Sequence, residues 1–220
     1  MNKIFKSSIG RKVAMALSGL FLIVFLLQHF IINFTSVIDP EIFNAFSHFM
    51  GTNPLVQFIL QPILIAGVLF HFIMGFLLDW QNRKARPVKY VSYKGSSNSS
   101  TVSRNMIISG IVVLSFMGLH FYDFWVPEMK YKYVDVLPEN PDRYFEELVH
   151  KFEDPLRVGI YCLSFVFLAL HLVHGFASSF KSLGTNNKYA GLIKKISYSY
   201  GILIPLGFCF IAVYHYYSTL

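Results

Sequence analysis

The chain has 220 residues, a formal net charge of +7, and a composition that is 54% hydrophobic but only 14% charged. So few charged residues cannot coat a soluble globule of this length, which excludes a soluble enzyme and predicts an all-α integral membrane protein. The basic residues cluster in segments that flank apolar runs rather than in one basic domain, which argues against nucleic-acid binding.

Five apolar segments, each long enough to cross a hydrocarbon core of about 30 Å, follow one another along the chain. We predict transmembrane spans at residues 13–34, 56–78, 104–125, 156–178 and 196–217, in a single membrane domain covering residues 1–220. The first span lacks a small-residue cleavage site and is expected to remain uncleaved. Residues 95–103 predict a flexible linker, and residues 142–152 an amphipathic surface helix.

Charge alternates between the connections. Fourteen of the nineteen Lys and Arg residues lie in the N-terminal segment and in the connections 79–104 and 179–195. All acidic residues except Asp79 lie in the connections 35–55 and 126–157 or, as Asp123, next to them. Because basic segments stay on the cytoplasmic side, the N-terminus is predicted to be cytoplasmic and the C-terminus external.

Four histidines lie deep inside four different spans: His29, His71, His120 and His171. An ionisable side chain at that depth is costly, and it usually faces the interior of a bundle with a functional partner. His29 and His120 lie toward the outer side of their spans, and His71 and His171 toward the inner side. The four therefore sort into two layers, about 14 Å apart along the membrane normal.

The first two spans resemble the next two. Matching residues at matching spacings are Ser18 and Ser109, Gly19 and Gly110, Phe25 and Phe116, and Gly75 and Gly175, which follow His71 and His171 by four residues. The pattern predicts an internal duplication, with the two hairpins related by an axis along the membrane normal. Gly19 and Gly110 fall at the depth of the inner histidines. All four glycines would leave room for a porphyrin.

Two imidazoles from facing helices supply both axial ligands of a low-spin haem. We therefore predict that the first four spans form a four-helix bundle around two stacked haem groups, with His29 and His120 on the outer haem and His71 and His171 on the inner. The chain has no CxxCH motif, which predicts non-covalent haem b. Zinc or copper would need ligands gathered at one depth. The remaining alternative is that the histidines only hydrogen-bond between helices.

Other histidines and the cysteines receive separate predictions. His174 competes with His171 as a ligand, but the match to the His-x-x-x-Gly pattern of the second span favours His171. His48 lies in the outer connection, near the predicted outer haem. His150 and His215 are expected at the surface or the membrane interface. Cys162 and Cys209 have no metal-binding spacing and are expected to be small apolar residues.

The stretch Gln28-His29-Phe-Ile-Ile-Asn33, followed by Phe43-Asn44 and His48-Phe49-Met50, resembles the cytochrome b membrane-anchor subunit of succinate dehydrogenase and fumarate reductase. The resemblance is to the single-chain, five-helix, di-haem type and covers essentially the whole chain. It implies a multi-pass protein of the bacterial cytoplasmic membrane that serves the respiratory chain and the tricarboxylic acid cycle. It also implies two partners on the cytoplasmic face, a flavoprotein with FAD and an iron-sulfur protein.

The resemblance further implies that electrons pass from the dicarboxylate through flavin, iron-sulfur clusters, inner haem and outer haem to a quinone, commonly menaquinone. His48 is then a candidate for proton exchange with that quinone. This chain would be the enzyme's membrane subunit and would not bind the dicarboxylate. Some family members carry a glutamate two residues before the fourth ligand for proton transfer, but Ala169 stands there. Candidates to bind haem propionates on the inner side are Arg11, Lys12, Arg104 and Lys181.

Two other functions are compatible with the same sequence. One is the cytochrome b subunit of another quinone-linked dehydrogenase, such as a formate dehydrogenase or a hydrogenase. The other is a haem-free transporter with buried polar residues.

Overall fold

The structure is a computed structural model that describes residues 7–85, 106–185 and 188–220; the predicted linker 95–103 and Arg104 lie outside these ranges. The described part is helical almost throughout. Its helices are α1 (Ser8–Ile38), α2 (Pro40–Thr52), α3 (Val56–Lys84), α4 (Met106–Val134), α5 (Arg143–Lys151), α6 (Pro155–Ser182) and α7 (Ala190–Ser218). Five of them, α1, α3, α4, α6 and α7, are long and apolar enough to cross a membrane, which confirms the predicted number of spans.

The third span is longer than predicted. α4 continues to Val134, whereas the span was predicted to end at residue 125. Pro127 lies at the start of an α-helical turn between two π-helical segments, Phe121–Trp125 and Lys130–Val134. A proline costs least at the start of a helical turn. An ion pair of 2.5 Å between Glu128 and Lys132 links the turns beyond it.

The outer connections contain two short helices. α5 forms where the sequence predicted an amphipathic helix. α2 was not predicted, although its start carries a recognisable signal. The Asp39 side chain accepts a hydrogen bond from the backbone N–H of Glu41 at 2.7 Å, and Pro40 takes the first helical position. An acidic cap followed by proline is a typical helix start.

The spans that carry the four histidines form a closed ring of contacts. α1 contacts α3 and α6, and α4 contacts α6 and, over a shorter length, α3. α7 lies outside this ring against α6 and α1. A Cβ added at Gly201 of α7 would lie 2.9 Å from the backbone nitrogen of Val173 in α6, so these two backbones meet directly. We call the ends of the spans inner and outer, following the predicted orientation.

The larger hydrophobic cluster lies in the outer half, where α2 and α5 cover the spans. It joins Phe43 of α2 and Leu148 of α5 to Phe165 of α6 and Phe208 of α7. Phe208 also lies 5.8 Å from His29, measured between ring centroids. The packing of the outer half therefore borders the outer histidines directly.

Candidate functional site

The structure brings the four predicted histidines together as two pairs on facing helices. The ring centroids of His29 on α1 and His120 on α4 lie 5.7 Å apart, with the ring planes at 84°. Those of His71 on α3 and His171 on α6 lie 6.3 Å apart, with the planes at 69°. The two pairs cross the two diagonals of the ring of spans. Because an imidazole nitrogen binds a metal at about 2 Å, two rings on opposite sides of one metal have centroids about 6 Å apart.

A serine hydroxyl sets the orientation of the inner histidine of α3. Ser18 donates its hydroxyl hydrogen to the carbonyl of Met15 at 2.9 Å, and its oxygen lies 3.0 Å from Nδ1 of His71. A hydroxyl has one hydrogen, so the hydrogen between Ser18 and His71 belongs to Nδ1. The lone pair of His71 is then on Nε2, which is the arrangement of a metal-binding histidine with a hydrogen-bonded second nitrogen.

The same arrangement recurs in the second hairpin. Ser109 donates to the carbonyl of Met106 at 2.9 Å and lies 3.4 Å from Nδ1 of His171. The hydrogen-bond partners of the two inner histidines are thus equivalent residues of the sequence repeat. The repeat contained both serines, but only the structure shows that they contact the histidines.

Glycines keep the space beside the inner histidines open. A Cβ added at Gly19 would lie 3.3 Å from Cε1 of His71, and one added at Gly110 would lie 3.8 Å from Cε1 of His171. These two glycines lie beside the inner pair, at the depth that helix geometry predicts for them. A side chain at Gly19 would have to displace the imidazole.

Gly75 and Gly175 also occupy equivalent places. A Cβ at Gly75 would lie 3.6 Å from the methyl carbon of Met15, and one at Gly175 would lie 3.1 Å from that of Met106. Each glycine therefore faces the flexible end of a methionine, which can move aside for a flat ligand.

The outer pair is packed among aromatic rings. Phe25 stacks on His29 with centroids 5.5 Å apart and planes at 17°, and Phe116 lies 5.8 Å from His120. Nδ1 of His120 is buried and has no hydrogen-bond partner within the described ranges. This atom therefore lacks the hydroxyl partner that Nδ1 of each inner histidine has.

The donor set fits a haem better than a bare metal ion. In the part of the chain that the structure describes, no three or more His, Cys, Asp or Glu side chains gather where they could hold a metal. A haem with two axial histidines needs only a pair of protein nitrogens, because the porphyrin fills the remaining positions. Both histidine pairs meet that requirement.

His171, rather than His174, lies opposite the inner histidine of α3. The ring contact of His71 is with His171, whereas His174 lies half-buried one turn further along α6. His171, which the His-x-x-x-Gly pattern favours, therefore remains the predicted ligand.

His48 lies on α2 beside a cavity of about 350 Å³ at the outer end of α4. Its Nδ1 is buried and has no hydrogen-bond partner among the described residues, and its ring centroid lies 6.1 Å from that of Tyr144. Burial, assisted by the negative charge of Glu128, raises the pKa of Tyr144 to about 12. The tyrosine hydroxyl therefore stays protonated at neutral pH, and the cavity wall offers both an imidazole and a hydrogen-bond donor.

Arg143 on α5 builds another wall of this cavity. Its guanidinium lies 4.0 Å from the ring centroid of Tyr131 and 4.3 Å from that of Tyr144, and it is hydrogen-bonded to Glu128 and Glu147. Burial opposes the charge, but the hydrogen bonds to the two glutamates outweigh it and raise the pKa of Arg143. Sequence spacing indicates only the pair with Glu147, four residues away.

The prediction for His215 is wrong. This residue is completely buried, and its Nε2 lies 2.8 Å from the hydroxyl of Ser36 on α1. Phe145 of α5 covers its ring at 5.7 Å. No pattern in the sequence indicates this contact, because α5 reaches His215 only through the tertiary fold. His150, by contrast, is exposed as predicted and lies 3.0 Å from Glu153.

The remaining predicted residues lie at the contact between α6 and α7 and near the inner ends of α1 and α6. Cys162 and Cys209 meet across the contact between α6 and α7, where the sulfur of Cys209 lies 3.8 Å from the carbonyl oxygen of Cys162. The candidates for propionate binding within the described residues, Arg11, Lys12 and Lys181, lie near the inner ends of α1 and α6.

Comparison of the chain with protein-family models, with curated proteins and with solved structures finds no match.

Proposed function

We propose that this chain is the di-haem cytochrome b membrane anchor of a succinate:quinone oxidoreductase in a bacterial cytoplasmic membrane. The observation that carries the proposal is that two histidine pairs cross both diagonals of one ring of four spans. The resemblance to the anchors of succinate dehydrogenase and fumarate reductase supplies the partners, which are a flavoprotein with FAD and an iron-sulfur protein. The chain would belong to the enzyme without binding its dicarboxylate.

In this proposal the first four spans form a bundle around two non-covalent b haems. His29 and His120 would hold the outer haem, and His71 and His171 the inner one. When bound, each haem would supply reversible one-electron transfer, the chemistry that links an iron-sulfur protein to a quinone. With two histidines holding each haem, the chain would offer no open site for oxygen.

The contribution of the protein is to orient the ligands and to keep space between them. The hydroxyl of Ser18 holds the Nδ1–H of His71 and so presents Nε2 as the ligand atom. Gly19 and Gly110 keep side chains away from the inner pair. The protein thereby fixes ring orientation before any cofactor enters.

The quinone would bind at the outer cavity. His48 lines this cavity and would be the partner for proton exchange with the quinone, and the hydroxyl of Tyr144 can donate a hydrogen bond to a quinone carbonyl oxygen. Ala169 stands where some family members use glutamate, so protons would be exchanged with the outer side.

The test is purification of the intact complex through a tag on this chain. We expect a b-type absorption spectrum on reduction, two haems per chain, and haem reduction by succinate through a co-purifying FAD protein and an iron-sulfur protein. A partner with molybdenum or nickel would instead support a formate dehydrogenase or a hydrogenase. A chain without b-type absorption would overturn the electron-transfer function and favour a haem-free transporter.

A further inference from the structure

Asp123 is a carboxylate buried inside α4, one turn beyond His120. Its side chain is 0% exposed, although an ionised group within a membrane span is costly unless it is paired. Arg157 donates to one carboxylate oxygen at 2.8 Å, and the hydroxyl of Tyr161 donates to the other at 2.8 Å. Both donors come from α6. We call these three residues the Asp123 cluster.

The two charges of the cluster lie at different depths along the membrane normal. Arg157 is one turn nearer the outer end of α6 than Tyr161, and its side chain is 27% exposed. Tyr161 is buried, and its ring centroid lies 6.5 Å from that of His120 and 5.0 Å from that of Phe116. The negative charge therefore lies on the side of the outer histidine pair, and the positive charge lies toward the outer surface.

Packing alone does not explain this arrangement. Removing two charges from water costs about as much as their attraction returns, so a buried ion pair contributes little net stability compared with apolar residues of the same volume. The structure places this pair beside one histidine pair. Apolar residues of the same volume could fill this space, but they would not produce the electric field of the ion pair at the outer histidines.

We infer that the Asp123 cluster lowers the reduction potential of the outer haem through the negative charge of its carboxylate. The inference rests on the proposed function, in which His29 and His120 bind that haem. Reduction adds one electron and breaks no bond, so a nearby negative charge disfavours the reduced form. The interaction is strong because the interior has a low dielectric constant. Arg157 offsets the charge only in part, because it lies further out.

The experiment is a redox titration of the intact complex at pH 8, in which the absorption of each haem is followed separately. Asp123→Asn removes the negative charge at nearly constant shape and should shift the potential of the outer haem upward. Arg157→Gln leaves the carboxylate without its counter-charge and should shift that potential downward. The inner haem serves as the internal reference. Asp79→Asn, at the exposed inner end of α3, is the matched control for loss of a carboxylate.

Opposite shifts confined to the outer haem would support the inference. Shifts of the same sign, or none, in variants that keep two haems would overturn it and leave the proposed function intact. A wild-type complex without haem would overturn the proposed function itself.

If the complex that carries Asp123→Asn fails to assemble, the variant Tyr161→Phe tests the same inference. This variant keeps both charges but removes the hydrogen bond that shares the charge of the carboxylate, so the potential of the outer haem should fall. An unchanged potential in Tyr161→Phe would overturn the inference.

Discussion

Each serine hydroxyl beside the inner histidines has a single hydrogen to donate, and this decides which partner it accepts from. Because Ser18 gives its hydrogen to Met15, it can only accept from His71, and this fixes the position of the imidazole proton. Such a partner also makes a histidine a more basic ligand and holds its ring plane. The equivalent contact of Ser109 with His171 is longer, 3.4 Å against 3.0 Å, so Ser18 should matter more.

Ser18→Ala should weaken binding of the inner haem by about 10–100-fold, as loss of a hydrogen-bond partner of a metal-bound histidine does. Ser109→Ala should have a smaller effect. The measurement is the rate at which the purified complex loses each haem to excess apomyoglobin. Ser115→Ala is the control, because Ser115 is exposed on α4 and donates only to the carbonyl of Ile111. Equal rates for Ser18→Ala and Ser115→Ala would contradict the assigned hydrogen bond.

The choice between the two histidines of α6 is tested by a pair of substitutions. His171→Ala should remove the inner haem and leave one haem per chain, because no other ring faces His71 in the described structure. His174→Ala should leave two haems in place. Haem content per chain, determined after extraction, measures both. One haem in His174→Ala together with two in His171→Ala would reverse the assignment.

At the scale of helices, the apolar length of each segment predicted the five spans, since a run of about 20 apolar residues is required to cross the bilayer. The predicted boundaries were too short where polar residues continue a helix beyond its apolar run. α4 extends to Val134 because Pro127 starts a new turn, a position that sequence alone does not reveal. α2 was missed because 13 residues of mixed polarity carry no membrane signal, although Asp39 and Pro40 mark the start.

The contact of α6 with α7 depends on Gly201. A Cβ at this position would lie 2.9 Å from the backbone nitrogen of Val173, so the helices would have to separate. Gly201→Ala should therefore destabilise the protein by about 1–3 kcal/mol, the usual cost of overpacking. The control is Gly159→Ala in α6, where a Cβ meets open space, and there the gain in helix propensity is at most about 1 kcal/mol. Unfolding in detergent by denaturant measures both, and equal stabilities would contradict the close contact.

For the whole molecule, the sequence predicted which residues face each other but not what supports them. Helix geometry and the repeat placed His29 opposite His120 and His71 opposite His171, because depth within a span follows from position in the sequence. The contacts of Ser18 and of Asp123 depend on rotamers and on the rotation of neighbouring helices. A hydropathy pattern specifies neither the rotamers nor the rotation of the helices, so only the structure shows that these residues contact the histidine pairs.

The predicted orientation in the membrane rests on the distribution of charge over the whole chain. Fourteen of the nineteen basic residues lie on one side of the predicted spans, and the cavity beside His48 lies on the other. The positive-inside rule therefore predicts an external position for this cavity and for the quinone proposed for it. A cytoplasmic cavity would instead take and release quinone protons inside the cell.

Labelling of single cysteines tests this orientation. In a chain carrying Cys162→Ser and Cys209→Ser, a membrane-impermeant maleimide should label Glu139→Cys in intact spheroplasts, because Glu139 is exposed at the cavity end. Lys188→Cys, exposed between α6 and α7, should be labelled only after the membrane is permeabilised. The reverse pattern would place the cavity in the cytoplasm. Docking of the iron-sulfur partner would then have to occur at the end where α2 and α5 cover the spans.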